Sequence, residues 1–92
     1  MREAEHFRIE GRVQGVGFRW WTVEAARGLG LAGWVRNRRD GSVEALAIGE
    51  RAGLDAFAAA CAKGPPSARV AEVVRTPAQD DGAQGFHERP TE

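Results

Sequence analysis

The sequence predicts an α+β fold of order β-α-β-β-α-β, with two helices on one face of a four-stranded antiparallel sheet. Three observations predict it: strict apolar–polar alternation near the start, two helical stripes each followed by glycine, and an Asp-Gly turn between two apolar strands. The chain has 92 residues, enough for a single domain over 1–92 with one modest core.

From Phe7 to Val13, Phe7, Ile9, Gly11 and Val13 alternate with Arg8, Glu10 and Arg12, the pattern of a half-buried strand. Gln14-Gly15-Val16-Gly17 then permits a tight turn, because glycine tolerates backbone conformations closed to other residues. Phe18, Trp21, Ala25 and Leu29 follow at helical spacing, and Gly28 and Gly30 are placed to stop that helix. Leu31 to Arg36 reads as a strand, 37–41 as a turn and Ser42 to Ile48 as its hairpin partner. Leu54, Phe57, Ala58 and Cys61 mark a second helical face, ended by Gly64-Pro65-Pro66. Val70 to Val74 is a β-branched run suited to a fourth strand, and Pro77 to Gly85 reads as an exposed loop. From Phe86 onward the pattern is too weak to assign. The order is that of the split βαβ, or ferredoxin-like, arrangement, which hosts many functions and does not supply the chemistry.

Composition narrows the function. Thirteen basic and thirteen acidic residues give a formal charge of zero, which disfavours a nucleic-acid binder that neutralises many phosphates. The first and third strands also lack the aromatic pattern of a single-stranded RNA platform. No apolar run is long enough to cross a bilayer, and the acidic start lacks the apolar stretch of a secretory leader, so the expectation is a cytoplasmic protein with no membrane partner. Cys61 has no partner for a disulfide, and no Cys/His cluster has metal-ligand spacing, so neither a metal nor an organic cofactor is expected.

The segment most informative about chemistry is Gly11-Arg12-Val13-Gln14-Gly15-Val16-Gly17-Phe18-Arg19, a strand running through a glycine turn into a helix. Free backbone N–H groups at a helix start attract anions, and glycines let the main chain approach them closely. Arg19 lies at the end of the helix dipole that disfavours a cation unless an anion is near, and its planar fork can grip two phosphate oxygens. Spacing alone leaves open a plain turn followed by a surface arginine. Asn37, beside the Asp-Gly turn, could likewise only shape that turn, although a neutral amide that donates and accepts suits the aiming of a water.

Other candidates are weaker. Gly28-Leu29-Gly30-Leu31-Ala32-Gly33 satisfies G-x-G-x-x-G but follows a helix and opens a strand, the reverse of a dinucleotide site. His6 and His87 lie in polar, peripheral parts of the chain, Cys61 falls on an apolar helix face, and Asp80-Asp81 reads as a solvated loop.

The segment 11–19, with Gly33-Trp34-Val35-Arg36-Asn37 and Asp40-Gly41-Ser42-Val43-Glu44, closely resembles the two signature segments of the acylphosphatase family. Gly49 and Gly64-Pro65-Pro66-Ser67-Ala68-Arg69-Val70 resemble its later landmarks, so the likeness runs from about Phe7 to Val74. The resemblance implies hydrolysis of acyl phosphates to carboxylate and inorganic phosphate, with phosphate as product and competitive inhibitor, by direct attack of water in a monomer. It implies an anion loop from the backbone of Gln14, Gly15, Val16, Gly17 and Phe18, with Arg19 binding phosphate and Asn37 holding the water. The alternative is a non-catalytic anion-binding module that keeps the loop without turnover. The end of the chain departs from the family pattern: Phe86-His87-Glu88-Arg89-Pro90 stands where an alternating apolar strand is usual. That departure is expected to affect stability more than activity.

Overall fold

The computed structural model describes residues 2–92. The elements are β1 (Glu3–Arg12), α1 (Phe18–Gly28), β2 (Ala32–Asn37), β3 (Val43–Gly49), α2 (Arg51–Lys63), β4 (Arg69–Pro77) and β5 (Phe86–Glu88). The sheet order is β4-β1-β3-β2-β5. The first four strands pair antiparallel, as the sequence pattern predicts. The sheet is nonetheless five-stranded and mixed, because β5 adds to the outer edge of β2 in parallel. The segment left unassigned from sequence therefore closes the sheet.

One apolar core lies between sheet and helices. Phe18, Val23 and Ala26 of α1 and Leu54, Phe57 and Cys61 of α2 pack with Phe7 and Ile9 of β1, Val35 of β2 and Phe86 of β5. The rings of Phe7 and Phe57 meet edge to face with centroids 5.0 Å apart. A smaller cluster of Trp34, Leu46 and Ile48 occupies the opposite face, under Ala78 and Ala83 of the loop that precedes β5.

The buried stripe of α1 is displaced from the expected one. Phe18 is buried as predicted, but Thr22, Val23 and Ala26 complete the stripe, while Leu29 follows the last turn and is exposed. Thr22 is tolerated inside because its hydroxyl donates to the Phe18 carbonyl at 2.8 Å. The α2 stripe is as read, and Gly64 ends that helix. β1 begins at Glu3, earlier than alternation indicated, because its backbone continues to pair with β3 as far as Gly49. Gly28 ends α1 and Gly33 lies within β2, so the G-x-G-x-x-G run connects helix to strand.

Candidate active site

The glycine turn between β1 and α1 folds as its composition requires. Gly15 and Gly17 have φ of 71° and 76°, the left-handed region that costs other residues about 1 kcal/mol or more. Gly17 caps α1 without a side-chain hydrogen bond, and the first intrahelical bond runs from the Trp21 N–H to the Gly17 carbonyl at 3.0 Å. The first amides of α1 consequently lack intrahelical acceptors. No acidic residue lies in this first turn. Arg19 stands there against the helix dipole.

A cavity of about 160 Å³ opens at this helix start, lined by Val13, Gly15, Gly17, Phe18, Arg19, Trp20, Asn37 and Glu88. Phe18 forms part of its wall from the buried core, whereas Trp20 is 64% exposed. Asn37 ends β2 two residues after Val35, and the alternation of a strand sends its side chain toward the helix face that Val35 joins. Its Oδ1 is buried and has no hydrogen-bond partner among the described residues. Its backbone is held, since the Asn37 carbonyl accepts from the Glu92 N–H at 3.1 Å.

The structure thus gathers Gly15, Gly17, Phe18, Arg19 and Asn37 around one space. Gln14 and Val16 are not among its lining residues. Val16 packs against the core. The Gln14 side chain reaches across to the β2–β3 turn, where its Nε2 donates to the carbonyls of Arg38 at 2.7 Å and Ser42 at 2.8 Å. Asp40 fixes the same turn by accepting from the Ser42 hydroxyl at 2.7 Å and the Ser42 N–H at 2.9 Å. Those bonds, with the one from Arg8, hold the Asp40 carboxyl well below its ordinary value.

Sequence reasoning missed Glu88 and expected the tail to matter little to the site. Glu88 lies two residues after the fully buried Phe86 in β5, so alternation turns it to the same inner face. Its Oε1 stands 3.8 Å from Arg19 Nε, and Arg19 Nη1 donates to the Arg89 carbonyl at 3.5 Å. The apolar-strand departure noted in the sequence was the available signal. Its position could not be read because β5 reaches the site through parallel pairing with β2.

The remaining candidates lie elsewhere. His6 Nε2 meets Glu44 at 2.5 Å on the sheet face opposite the helices, and His87 Nε2 meets the Gln84 carbonyl at 2.9 Å. Cys61 is buried, which pushes its thiol up to about 12. Asp80 accepts from Arg2 at 2.6 Å and from the Gly82 N–H at 2.8 Å. Among the described residues no group of three His, Cys, Asp or Glu side chains could hold a metal ion, and no helix is long and apolar enough to cross a membrane.

On a ferredoxin-like scaffold one cavity thus joins a glycine-lined helix start, an arginine and an amide whose buried Oδ1 lacks a partner among the described residues, an arrangement chemically able to take a small anion. Comparison with known proteins makes the class specific. The Acylphosphatase family model matches residues 5–88. An acylphosphatase of Rhodospirillum rubrum is 56% identical over 84 residues, covering 91% of this chain and 92% of that protein. Among solved structures, an acylphosphatase from Coxiella burnetii superposes with a TM-score of 0.92 at 34% identity, covering 96% of this chain and 93% of that one. The acylphosphatase of Bacillus subtilis gives a TM-score of 0.91 at 38% identity, covering 97% and 99% respectively. The chain belongs to the acylphosphatase family. Its activity is the hydrolysis of acyl phosphates to carboxylate and inorganic phosphate.

Proposed function

We propose that the cavity at the start of α1 is where this hydrolysis occurs, that Arg19 and the backbone from Gln14 to Phe18 bind the phosphoryl group, and that Asn37 holds the attacking water. The observation that carries the proposal is the meeting of Arg19 with a buried, unpartnered Asn37 Oδ1 in one cavity. The side-chain Oδ1 of Asn37 accepts an O–H from water and turns the water lone pair toward phosphorus. The new bond forms between the water oxygen and phosphorus, and the bond from phosphorus to the acyl oxygen breaks with its electron pair leaving on the carboxylate. The water proton passes to a phosphoryl oxygen.

Acid assistance to the leaving group is dispensable, because a carboxylate is the conjugate base of an acid of pKa about 4. A loose phosphoryl-transfer transition state requires mainly positioning and charge stabilisation on the equatorial oxygens, which a guanidinium and several amides supply. The reading calls for no phosphoenzyme, metal or organic cofactor, and for a monomer working in the cytoplasm. Inorganic phosphate, as product, competes for the same cradle.

The test is hydrolysis of benzoyl phosphate by the Arg19→Gln variant, with thermal melts to establish that it folds. Loss of one well-placed donor costs about 10²–10³ in rate, and a charged bidentate donor more, so kcat/KM should fall by at least that factor. Retention of more than about a tenth of the wild-type value would refute the assignment of Arg19.

A further inference from the structure

Arg19 carries a carboxylate partner inside the site that is meant for phosphate. Glu88 lines the cavity, its Oε1 is 3.8 Å from Arg19 Nε, and the neighbouring Arg89 carbonyl accepts from Arg19 Nη1 at 3.5 Å. Both contacts come from β5 and the residue after it. Glu88 is 44% exposed in its side chain, so it can swing toward solvent without unfolding the strand. Phe86, fully buried on the same face, anchors the strand from which it would swing.

We propose that Glu88 is the resident counter-anion of Arg19, and that it weakens the grip of the site on phosphate because an incoming phosphoryl group must displace it. The inference rests on Arg19 being the phosphate-binding residue. A carboxylate 3.8 Å from the guanidinium offsets part of its positive charge and repels a second anion placed there. Binding of substrate and of product phosphate therefore both bear the cost of parting Glu88 from Arg19. The consequence for the reaction is faster escape of inorganic phosphate. Glu88 is on this account a positioning residue that sets anion affinity.

The experiment measures the inhibition constant of inorganic phosphate, and KM and kcat for benzoyl phosphate, in Glu88→Gln and Glu88→Leu at neutral pH and two ionic strengths. The expected result is a phosphate constant about three- to tenfold lower in both variants, a parallel fall in KM, and a gap from wild type that narrows as salt rises. Two results would overturn the inference: a raised constant, which would make Glu88 a buttress that holds Arg19 ready, or an unchanged constant, which with a kcat about 100-fold lower would make Glu88 a proton acceptor. Arg19→Gln measured in parallel separates the two proposals. If it leaves phosphate affinity unaltered, the assignment of Arg19 fails; if it weakens phosphate while the Glu88 variants do not tighten it, only the role of Glu88 fails.

Discussion

Gln14 braces the β2–β3 turn through its side chain. Its amide donates to two carbonyls of the turn that follows Asn37, those of Arg38 and Ser42. It thereby joins the glycine loop that follows β1 to the hairpin that carries Asn37, two segments that no short connection links. The Arg38 carbonyl also accepts from the Gly41 N–H and the Ser42 carbonyl from the Arg38 N–H, so loss of Gln14 leaves neither without a donor. Gln14→Ala is accordingly expected to cost about 1–2 kcal/mol, the net value of two ordinary hydrogen bonds, as read from urea unfolding. Its kcat should fall several-fold more than phosphate affinity, because the loosened element is the one that bears Asn37. Unchanged stability would show that the two bonds are dispensable to the turn.

β5 shows how much three residues can contribute when one of them is an aromatic anchor. Phe86 is fully buried, its ring 6.0 Å from that of Phe57, and Arg27 Nη2 of α1 donates to its carbonyl at 3.0 Å. Beyond the strand, the Arg89 N–H continues along β2 by donating to the Val35 carbonyl at 2.8 Å. Phe86→Ala should destabilise the protein by about 3–5 kcal/mol in urea unfolding, the usual cost of removing a buried aromatic ring. It should also lower kcat/KM under conditions where the variant remains folded, since β5 pairs along β2, the strand that ends at Asn37. The same strand marks the limit of what the sequence revealed. β1 was legible because its alternation is strict, and the two helices because glycine stops follow apolar stripes. β5 was not, because Phe86 alone carries its apolar signal and its pairing with β2 is parallel and remote in sequence. The α1 stripe was read one position off where a threonine, satisfied within its own helix, took a place that pattern reserves for an apolar residue. Arg19 and Asn37 were legible through family motifs; Glu88 was legible only as a departure from one.

Taken together, the fold brings three distant parts of the chain to one point: the start of α1, the end of β2 and the strand near the C-terminus. Thirteen bases balance thirteen acids, and many are paired closely on the surface. Arg51 meets Glu3 at 2.6 Å and Glu5 at 2.7 Å, while Arg75 meets Glu5 and Asp55 at 2.8 Å each. Burial raises the Glu5 carboxyl, but the bonds and charge of Arg51 and Arg75 outweigh it and hold that group below its ordinary value. Arg36 is held at 2.5 Å by Glu44 and Arg8 at 2.6 Å by Asp40. Arg19 has a looser partner at 3.8 Å, which leaves its guanidinium the more available to an incoming anion. On the proposed mechanism, availability of charge accounts for binding and turnover requires Asn37 in addition. The most direct measurement is therefore kcat on benzoyl phosphate together with the phosphate inhibition constant for Asn37→Ala and Asn37→Gly, each verified as folded by thermal melting. If Asn37 holds the water, both variants lose about 100-fold or more in kcat while phosphate affinity stays within a few-fold. Near-normal turnover in Asn37→Gly would contradict the account, because it would mean that Asn37 only shapes a turn.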